Sequence, residues 1–127
     1  EIILSNEDSL IAKKIEDVLN KTGFSLLSSI NIYKNRKMAL NLLYFLKKEG
    51  VAIQVGSDLW MHFNSYKILK NKLILHFSRN TKLSVPELKE AISVSRKNAI
   101  PILEFCDKTK LTKRIDNHRI KGDCLNE

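Results

Sequence analysis

The chain has 127 residues, 43% of them hydrophobic, and 22 Lys/Arg against 14 Asp/Glu give it a net charge of +8. Its length fits one domain or two very small ones. No run approaches the roughly 18 apolar residues of a membrane span, and the charged residues near the start do not form a signal-peptide pattern. The first residue is Glu rather than Met, so we expect a piece of a longer protein. With only two cysteines, Cys106 and Cys124, we expect a reducing compartment and therefore a cytoplasmic protein that does not contact a membrane.

The first half of the chain predicts three helices and a strand pair, from apolar residues at helical spacing followed by alternation. Ser5 or Asn6 is a suitable cap for the first helix, and Gly23 and Gly50 are suitable stops. The predicted elements are helices from Ser5 or Asn6 to about 22, over about 25–31 and from about 34 to 49, then strands over 51–55 and 59–63.

The second half predicts the same order of elements. Ser84 and Glu87 form a capping box at the start of a helix. Pro101 lies inside the next helix, where its missing N–H is expected to kink or loosen one turn. The predicted elements are helices over 66–77, from about 84 and over about 95–108, then strands over 111–115 and 118–121 around a turn at Asp116-Asn117.

The two halves repeat each other at a spacing of 60 residues. The segment Arg36-Lys37-x-Ala39-Leu40-x-Leu42-Leu43-x-Phe45 returns as Arg96-Lys97-x-Ala99-Ile100-x-Ile102-Leu103-x-Phe105. A repeated supersecondary unit is the simplest explanation, and three helices followed by a hairpin is the order of a winged helix. We therefore predict a mainly α fold with small β-hairpins, made of two tandem winged-helix domains, 1–64 and 65–127.

Charge separates the two halves. Residues 1–66 have a net charge of +1, whereas residues 67–127 have fourteen Lys/Arg, seven Asp/Glu and a net charge of +7. Such an asymmetry points to a polyanionic partner for the second domain. The first domain, nearly neutral, is expected to be a spacer or a contact to the rest of the protein.

The two predicted hairpins, which are the wings of the winged helices, differ most in sequence. At aligned positions the first has Ala52, Ile53, Gln54, Leu59 and Trp60, and the second has Thr112, Lys113, Arg114, Arg119 and Ile120. The first copy is built without bases there, so the fold does not require them. The turn places Arg114 opposite Arg119, with Lys121 on the same face. Opposed arginines repel, which favours an anion over the wing; the alternative is arginines that point into water.

The start of the last helix provides two more candidates. Arg96 and Lys97 lie where nucleic-acid readers place contacts, at a helix end that attracts phosphate. Since Arg36-Lys37 occurs at the same place in the first copy, a structural role is the alternative. The predicted nucleic-acid-binding residues are Arg96, Lys97, Lys113, Arg114, Arg119 and Lys121.

Catalytic and metal-binding patterns are missing from the sequence, so we expect no enzyme, no metal and no cofactor in this segment. There is no Gly-rich phosphate loop and no nucleophile elbow, and Cys106, His118 and Cys124 match no zinc spacing. Cys106 is expected in the core. His62 and His76 are expected at the surface, and Trp60 and Tyr66 between the domains, with base stacking as the alternative.

The segment Ser95-Arg96-Lys97-Asn98-Ala99-Ile100-Pro101-Ile102-Leu103-Glu104-Phe105 resembles the last winged helix of the bacterial selenocysteine-specific elongation factor. The family pattern runs roughly S-R-K-Y-A-I-P-L-L-E-Y-L-D, then T-R-R-x-G-D-x-R. The chain departs from it at Asn98, at Asp116-Asn117, and where a Gly is expected after the helix, at Lys110 or Thr109. These departures affect the turn of the wing and leave its basic residues in place.

The resemblance implies binding of a SECIS hairpin in mRNA beside a UGA codon. It places Arg96 and Lys97 on the basic helix start, and Arg114 and Arg119 on the wing. It also implies that GTP, selenocysteinyl-tRNA and the ribosome are handled upstream of this segment. The alternatives are a winged-helix DNA-binding regulator, which usually dimerises, and a protein-interaction module. The sequence has no heptads, so we expect a monomer.

Overall fold

The computed structural model describes residues 3–126, which divide into two compact units at Ser65 and Tyr66. Unit 1 ends at Ser65 and unit 2 begins at Tyr66. In both units three helices precede an antiparallel hairpin, so the fold is mostly helical with small sheets. The elements are α1 Asn6–Thr22, α2 Ser29–Ile32, α3 Arg36–Lys48, β1 Ala52–Gly56, β2 Leu59–His62, α4 Phe63–Arg79, α5 Val85–Ile92, α6 Arg96–Lys108, β3 Thr112–Ile115 and β4 His118–Lys121.

Side-chain caps fix most of the helix starts. Ser5 accepts a hydrogen bond from the Asp8 N–H at 3.1 Å, and Asn35 caps α3 in the same way, through the Met38 N–H. The predicted capping box of α5 is confirmed, because Ser84 accepts from the Glu87 N–H at 3.2 Å while the Glu87 carboxylate accepts from the Ser84 N–H at 2.8 Å. The helix α6 continues through Pro101 without interruption.

Two boundaries differ from the sequence-based expectation. The second helix of unit 1 is shorter and later than 25–31, since it begins only at Ser29. α4 begins at Phe63 rather than Tyr66, directly after β2. The ring of His62 explains the second difference: its Nδ1 accepts a hydrogen bond from the Asn64 N–H at 2.9 Å and so satisfies the new helix end.

His62 is therefore buried, which corrects its expected surface position. Only 6% of the residue is exposed, and its Nε2 lies 3.1 Å from a carboxylate oxygen of Glu16 on α1. His76 is also engaged within unit 2, where its Nε2 lies 2.6 Å from the carbonyl oxygen of Lys82. Both imidazoles join elements of their own unit.

Trp60 lies at the centre of unit 1. It is fully buried among apolar residues of α1, α2 and α3, and its ring meets that of Tyr44 edge to face at a centroid distance of 5.5 Å. Tyr66 makes a similar contact with Phe105 inside unit 2, at 6.2 Å. Trp60 was expected either to pack between the domains or to stack on a base. Both expectations are wrong, because it lies in the core of unit 1.

Asp58 joins the hairpin turn of unit 1 to its core. Its carboxylate accepts hydrogen bonds from the Trp60 Nε1–H at 3.0 Å and from the Ser29 hydroxyl at 2.8 Å, as well as from the Ser29 N–H. Burial acts to raise the pKa of Asp58, but these hydrogen bonds and the nearby charge of Arg36 outweigh it, and the pKa lies below its usual value.

Unit 1 should therefore lose stability in acid. A carboxyl whose folded pKa lies below its unfolded value of about 3.9 stabilises fully above that value, and less as pH falls through the folded pKa. We expect Asp58→Asn to lower unit 1 stability at neutral pH by about 2 kcal/mol, because an ionised acceptor is lost, and to flatten the decline below about pH 4. Urea unfolding followed by the fluorescence of Trp60, the sole tryptophan, measures both effects. An unchanged acid decline in the variant would contradict this role.

Candidate nucleic-acid interface

The wing of unit 2 has the predicted register. β3 and β4 pair Arg114 with Arg119 and Thr112 with Lys121, around a turn in which Asp116 has a left-handed φ of 55°. β4 is also paired on its other edge, because Arg119 and Leu83 exchange two backbone hydrogen bonds of 2.8 Å. The wing is thus tied to the segment that leads into α5.

The side chain of Arg119, one of the predicted binding residues, is engaged by a carboxylate of its own unit. The residue is 3% exposed, and its Nη2 donates to Asp107 Oδ2 at 2.9 Å, while its Nε lies 3.3 and 3.4 Å from the two carboxylate oxygens. The Thr112 hydroxyl donates to the same carboxylate at 2.6 Å. Asp107, rather than a bound anion, neutralises Arg119 and relieves its repulsion from Arg114.

Arg119 and its partner Asp107 both differ from the residues at the aligned positions of the first copy. At the spacing of 60, Arg119 aligns with Leu59 and its partner Asp107 aligns with Lys47. The two positions therefore differ together, from lysine and leucine to aspartate and arginine. An acid in the last turn of a helix opposes the helix dipole, and this was the sequence signal that a cation lies near Asp107.

Arg114 remains exposed and reaches along the turn, where its Nε donates to the carbonyl oxygen of Asp116 at 3.1 Å. It borders a groove of about 510 Å³. The groove lies between the wing and the starts of α5 and α6, and its lining residues are Ser84, Val85, Pro86, Arg96, Ile100, Glu104, Arg114, Asn117 and Arg119. Three of the predicted residues, Arg96, Arg114 and Arg119, line this groove, and Arg96 and Arg114 are the two exposed ones, brought together from separate elements.

The predicted lysines of the wing lie around a second groove of about 300 Å³. Lys113 and Lys121 line it with Lys110 and Arg114, and Asp107 and Asp123 lie there too. Arg114 borders both grooves, so the two are adjacent along the wing. Lys97 is exposed on the first turn of α6 and lines neither groove.

The backbone around the second groove explains the missing glycine. Lys110 has a φ of 63° and follows α6 at the position where Gly50, with a φ of 79°, follows α3. The expected glycine position is therefore Lys110 rather than Thr109. A lysine is held there in the left-handed region, which is unfavourable for a residue with a Cβ, and its ammonium group joins the cations of the wing.

Within residues 3–126 no group of three or more His, Cys, Asp or Glu side chains could hold a metal ion. Cys106 and Cys124 are free thiols. Cys106 is fully buried, as predicted, and burial raises its pKa to about 12, which keeps it protonated at neutral pH. In the same part of the chain, no helix is long and apolar enough to cross a membrane.

Sequence comparison now connects unit 2 to a known family. A family model described as elongation factor SelB, winged helix, matches residues 75–120, from the second half of α4 to β4. Residues 75–120 are therefore similar to the winged helix of elongation factor SelB. A selenocysteine-specific elongation factor of Desulfomicrobium baculatum is 28% identical over 83 residues, which are 65% of this chain. The predicted resemblance is confirmed, and the match covers 13% of that SelB relative.

Solved structures agree on the fold. The mRNA-binding domain of elongation factor SelB from E. coli, in complex with SECIS RNA, matches with a TM-score of 0.81 and 19% identity, over 94% of this chain and all of that one. A bacterial selenocysteine-specific elongation factor EF-Sec matches with a TM-score of 0.63 and 25% identity, over 91% of this chain and 18% of that one. At 19% identity the first match supports the winged-helix fold alone.

Proposed function

We propose that unit 2 binds a SECIS-type hairpin in mRNA, as part of the C-terminal region of a selenocysteine-specific elongation factor. The observation that carries this proposal is the groove in which Arg96 of α6 and Arg114 of the wing converge. Guanidinium groups bind phosphates and base edges bidentately. The class of RNA is suggested by the similarity of residues 75–120 to the SelB winged helix and by the SECIS RNA bound to the E. coli mRNA-binding domain of the same fold.

The groove is suited to a hairpin loop rather than to an uninterrupted duplex. The major groove of A-form RNA is too narrow for a helix, so RNA is read by sequence where its bases are unpaired. Arg114 and the lysines of the second groove would hold the backbone at the wing. In the first groove Glu104 and Asn117 offer hydrogen-bonding groups beside Arg96, which suits a splayed base.

The Ser95 side chain makes no capping hydrogen bond to α6, which leaves that helix start suited to a phosphate. Lys97 belongs to the proposed contact surface through its place in the same first turn. Arg119 does not, since Asp107 occupies its guanidinium group. The proposed RNA-binding residues are therefore Arg96, Lys97, Lys113, Arg114 and Lys121.

The wider role is proposed on the same basis. Units 1 and 2 would be tandem winged-helix domains of a cytoplasmic factor, acting by binding and without chemistry of their own. GTP, selenocysteinyl-tRNA and the ribosome would be bound by other parts of that factor. The segment itself would act as a monomer without a cofactor.

Hairpin binding by the Arg96→Ala/Arg114→Ala variant tests the site. We expect the chain to prefer a hairpin from downstream of an in-frame UGA over a scrambled hairpin by a factor of about 10³. The double variant should lose about 100-fold in affinity, since each bidentate arginine contributes roughly a factor of ten. Fluorescence anisotropy at two salt concentrations measures both quantities.

The control variant is Lys72→Ala/Arg79→Ala, which removes two exposed cations from α4 outside both grooves. It should change affinity only slightly. Equal and weak binding of all RNAs, disappearing at high salt, would indicate a generic polyanion surface. A preference for duplex DNA would favour a DNA-binding regulator instead.

A further inference from the structure

The near-neutral charge of unit 1 conceals a strongly basic helix. Residues 33–48, which include all of α3, contain five Lys/Arg and no acid, whereas the rest of residues 1–65 contains three Lys/Arg and seven acids. The α3 segment therefore has a net charge of +5, within a remainder of −4. Arg36 of this segment lies near Asp58. The charge of unit 1 is therefore unevenly distributed, and its positive charge is concentrated on and just before α3.

An aromatic side chain lies within this basic face. Lys37, Asn41, Tyr44 and Lys48 are all exposed and follow the spacing that places them on one side of a helix. Tyr44 is 48% exposed although its ring is fixed against the buried Trp60. The Lys47 ammonium lies 5.9 Å from the centre of the Tyr44 ring and donates to Gln54 Oε1 at 2.8 Å. The ring is therefore presented in a fixed position, which lowers the entropy cost of binding.

Tyr44 also borders a groove of about 610 Å³ between α3 and the start of α1. The floor of the groove is apolar, with Leu4, Leu42 and Phe45, and Lys47 and Lys48 line the α3 side. Asp8 lines the α1 side. A planar base fits beside Tyr44, a phosphate is attracted to the lysines, and Asp8 repels phosphate but can accept from a base amino group.

Unit 2 lacks this arrangement at the aligned positions. Tyr44 is replaced by Glu104, Lys47 by Asp107 and Asn41 by Pro101, while Lys48 is matched by Lys108. The winged-helix fold therefore does not require an aromatic and basic face on its third helix. The face is a property of unit 1, and the RNA site proposed for unit 2 does not account for it.

We infer that the α3 face of unit 1, formed by Lys37, Asn41, Tyr44, Lys47 and Lys48, is a second RNA-binding surface, which takes unpaired RNA. Proteins bind single strands by combining cations that follow the backbone with aromatic rings that stack on bases. Both parts are present here, and the stacking ring lies at the centre of the cations. Unpaired RNA fits better than a duplex, because a base must leave its stack to reach Tyr44. This inference goes beyond the hairpin site and does not depend on it.

Binding of fluorescein-labelled oligo(U) and oligo(A) RNA 12-mers to the whole chain tests this inference. The experiment uses the Arg96→Ala/Arg114→Ala background, which removes the two exposed arginines from the groove of unit 2. Tyr44→Ile should weaken binding about tenfold through the loss of stacking, and Tyr44→Phe should retain it. RNA should also change the emission of Trp60, whose ring lies next to Tyr44.

A lysine pair provides a test that does not disturb the core. Lys37→Gln/Lys48→Gln should reduce the slope of log affinity against log salt by about 1.4, since each lost single-strand phosphate contact contributes about 0.7. The matched control is Lys14→Gln/Lys21→Gln, two exposed lysines of α1 outside the groove. Polyglutamate is a polyanion without nucleobases. Its affinity should be the same for the wild type and for Tyr44→Ile.

Three results would overturn the inference. They are equal binding by the wild type and Tyr44→Ile, equal salt slopes for the two lysine pairs, and equal competition by polyglutamate and RNA. The last would indicate an acidic protein partner. Hairpin affinity measured with intact Arg96 and Arg114 is a separate quantity, so loss of one RNA site is distinguishable from loss of the other.

Discussion

Asp107→Ala should destabilise unit 2 by about 3–5 kcal/mol, the usual cost of removing one partner from a buried ion pair. Arg119 is 3% exposed and its Nη2 and Nε groups both contact the Asp107 carboxylate. Without the Asp107 carboxylate, the Arg119 guanidinium group would remain in the protein interior with no anion beside it. The Thr112 hydroxyl would lose its acceptor as well. Urea unfolding followed by circular dichroism measures the loss.

Unit 1, which has the same order of elements, supplies the control. Unit 1 has Lys47 and Leu59 at the aligned positions and needs no buried ion pair there. Asp107→Ala/Arg119→Leu should therefore recover most of the stability lost by Asp107→Ala, because replacing both partners by apolar groups is often nearly neutral. Trp60 fluorescence reports unit 1 in the same samples and should be unchanged. A double variant no more stable than the single one would contradict the pairing argument.

Gly122→Ala should destabilise unit 2 by about 3 kcal/mol or more, at the upper end of the range for an overpacked core. A Cβ at Gly122 would lie 2.2 Å from the carbonyl oxygen of Lys110 and 2.6 Å from backbone atoms of Leu111 and Thr112. These are main-chain atoms of the wing, which cannot rotate away as a side chain does. The substitution would also displace the Gly122 N–H from the Leu111 carbonyl oxygen, 3.0 Å away. Thermal unfolding of the whole chain tests this.

Gly56→Ala is the matched control, because a Cβ there meets only side-chain atoms of Leu59, at 3.4 Å or more. We expect it to change stability by less than about 1 kcal/mol. A similarly small loss of stability for Gly122→Ala would contradict this prediction. It would mean that the backbone of the wing and that of the segment after it can move apart to accept a Cβ. In that case the second groove, which Gly122 lines, would also be adjustable.

The two units use the same order of elements for different surfaces. In unit 2 the exposed Arg96 and Arg114 line a groove between α5, α6 and the wing, whereas the guanidinium group of Arg119, which also lines it, is paired with Asp107. In unit 1 the corresponding helix, α3, presents Tyr44 among lysines instead. The charge of each half, taken as a total, identified only the first of these surfaces. The net charge of a unit does not show that five of its bases are concentrated in one segment, 33–48.

Much of the fold follows from local sequence. The caps at Ser5 and Ser84, the stop at Gly23 and the turn at Asp116 act within a few residues, so their chemistry can be recognised without a structure. The strand register of the wing follows in turn, because a tight turn fixes which residues face each other. The opposition of Arg114 and Arg119 was predicted for that reason and is confirmed.

The sequence by itself determined the order of elements, the SelB-type resemblance of the last winged helix, and the identity of the cations available for binding. Only the tertiary structure decided which of those cations are exposed. The pairing of Arg119 with Asp107 spans twelve residues, and that of Asp58 with Ser29 spans 29. Such contacts depend on how elements meet, and a charged side chain has the same letter in the sequence whether it faces water or a buried partner. That is why Arg119 was assigned to the ligand, and why Trp60 and His62 were not placed in the core.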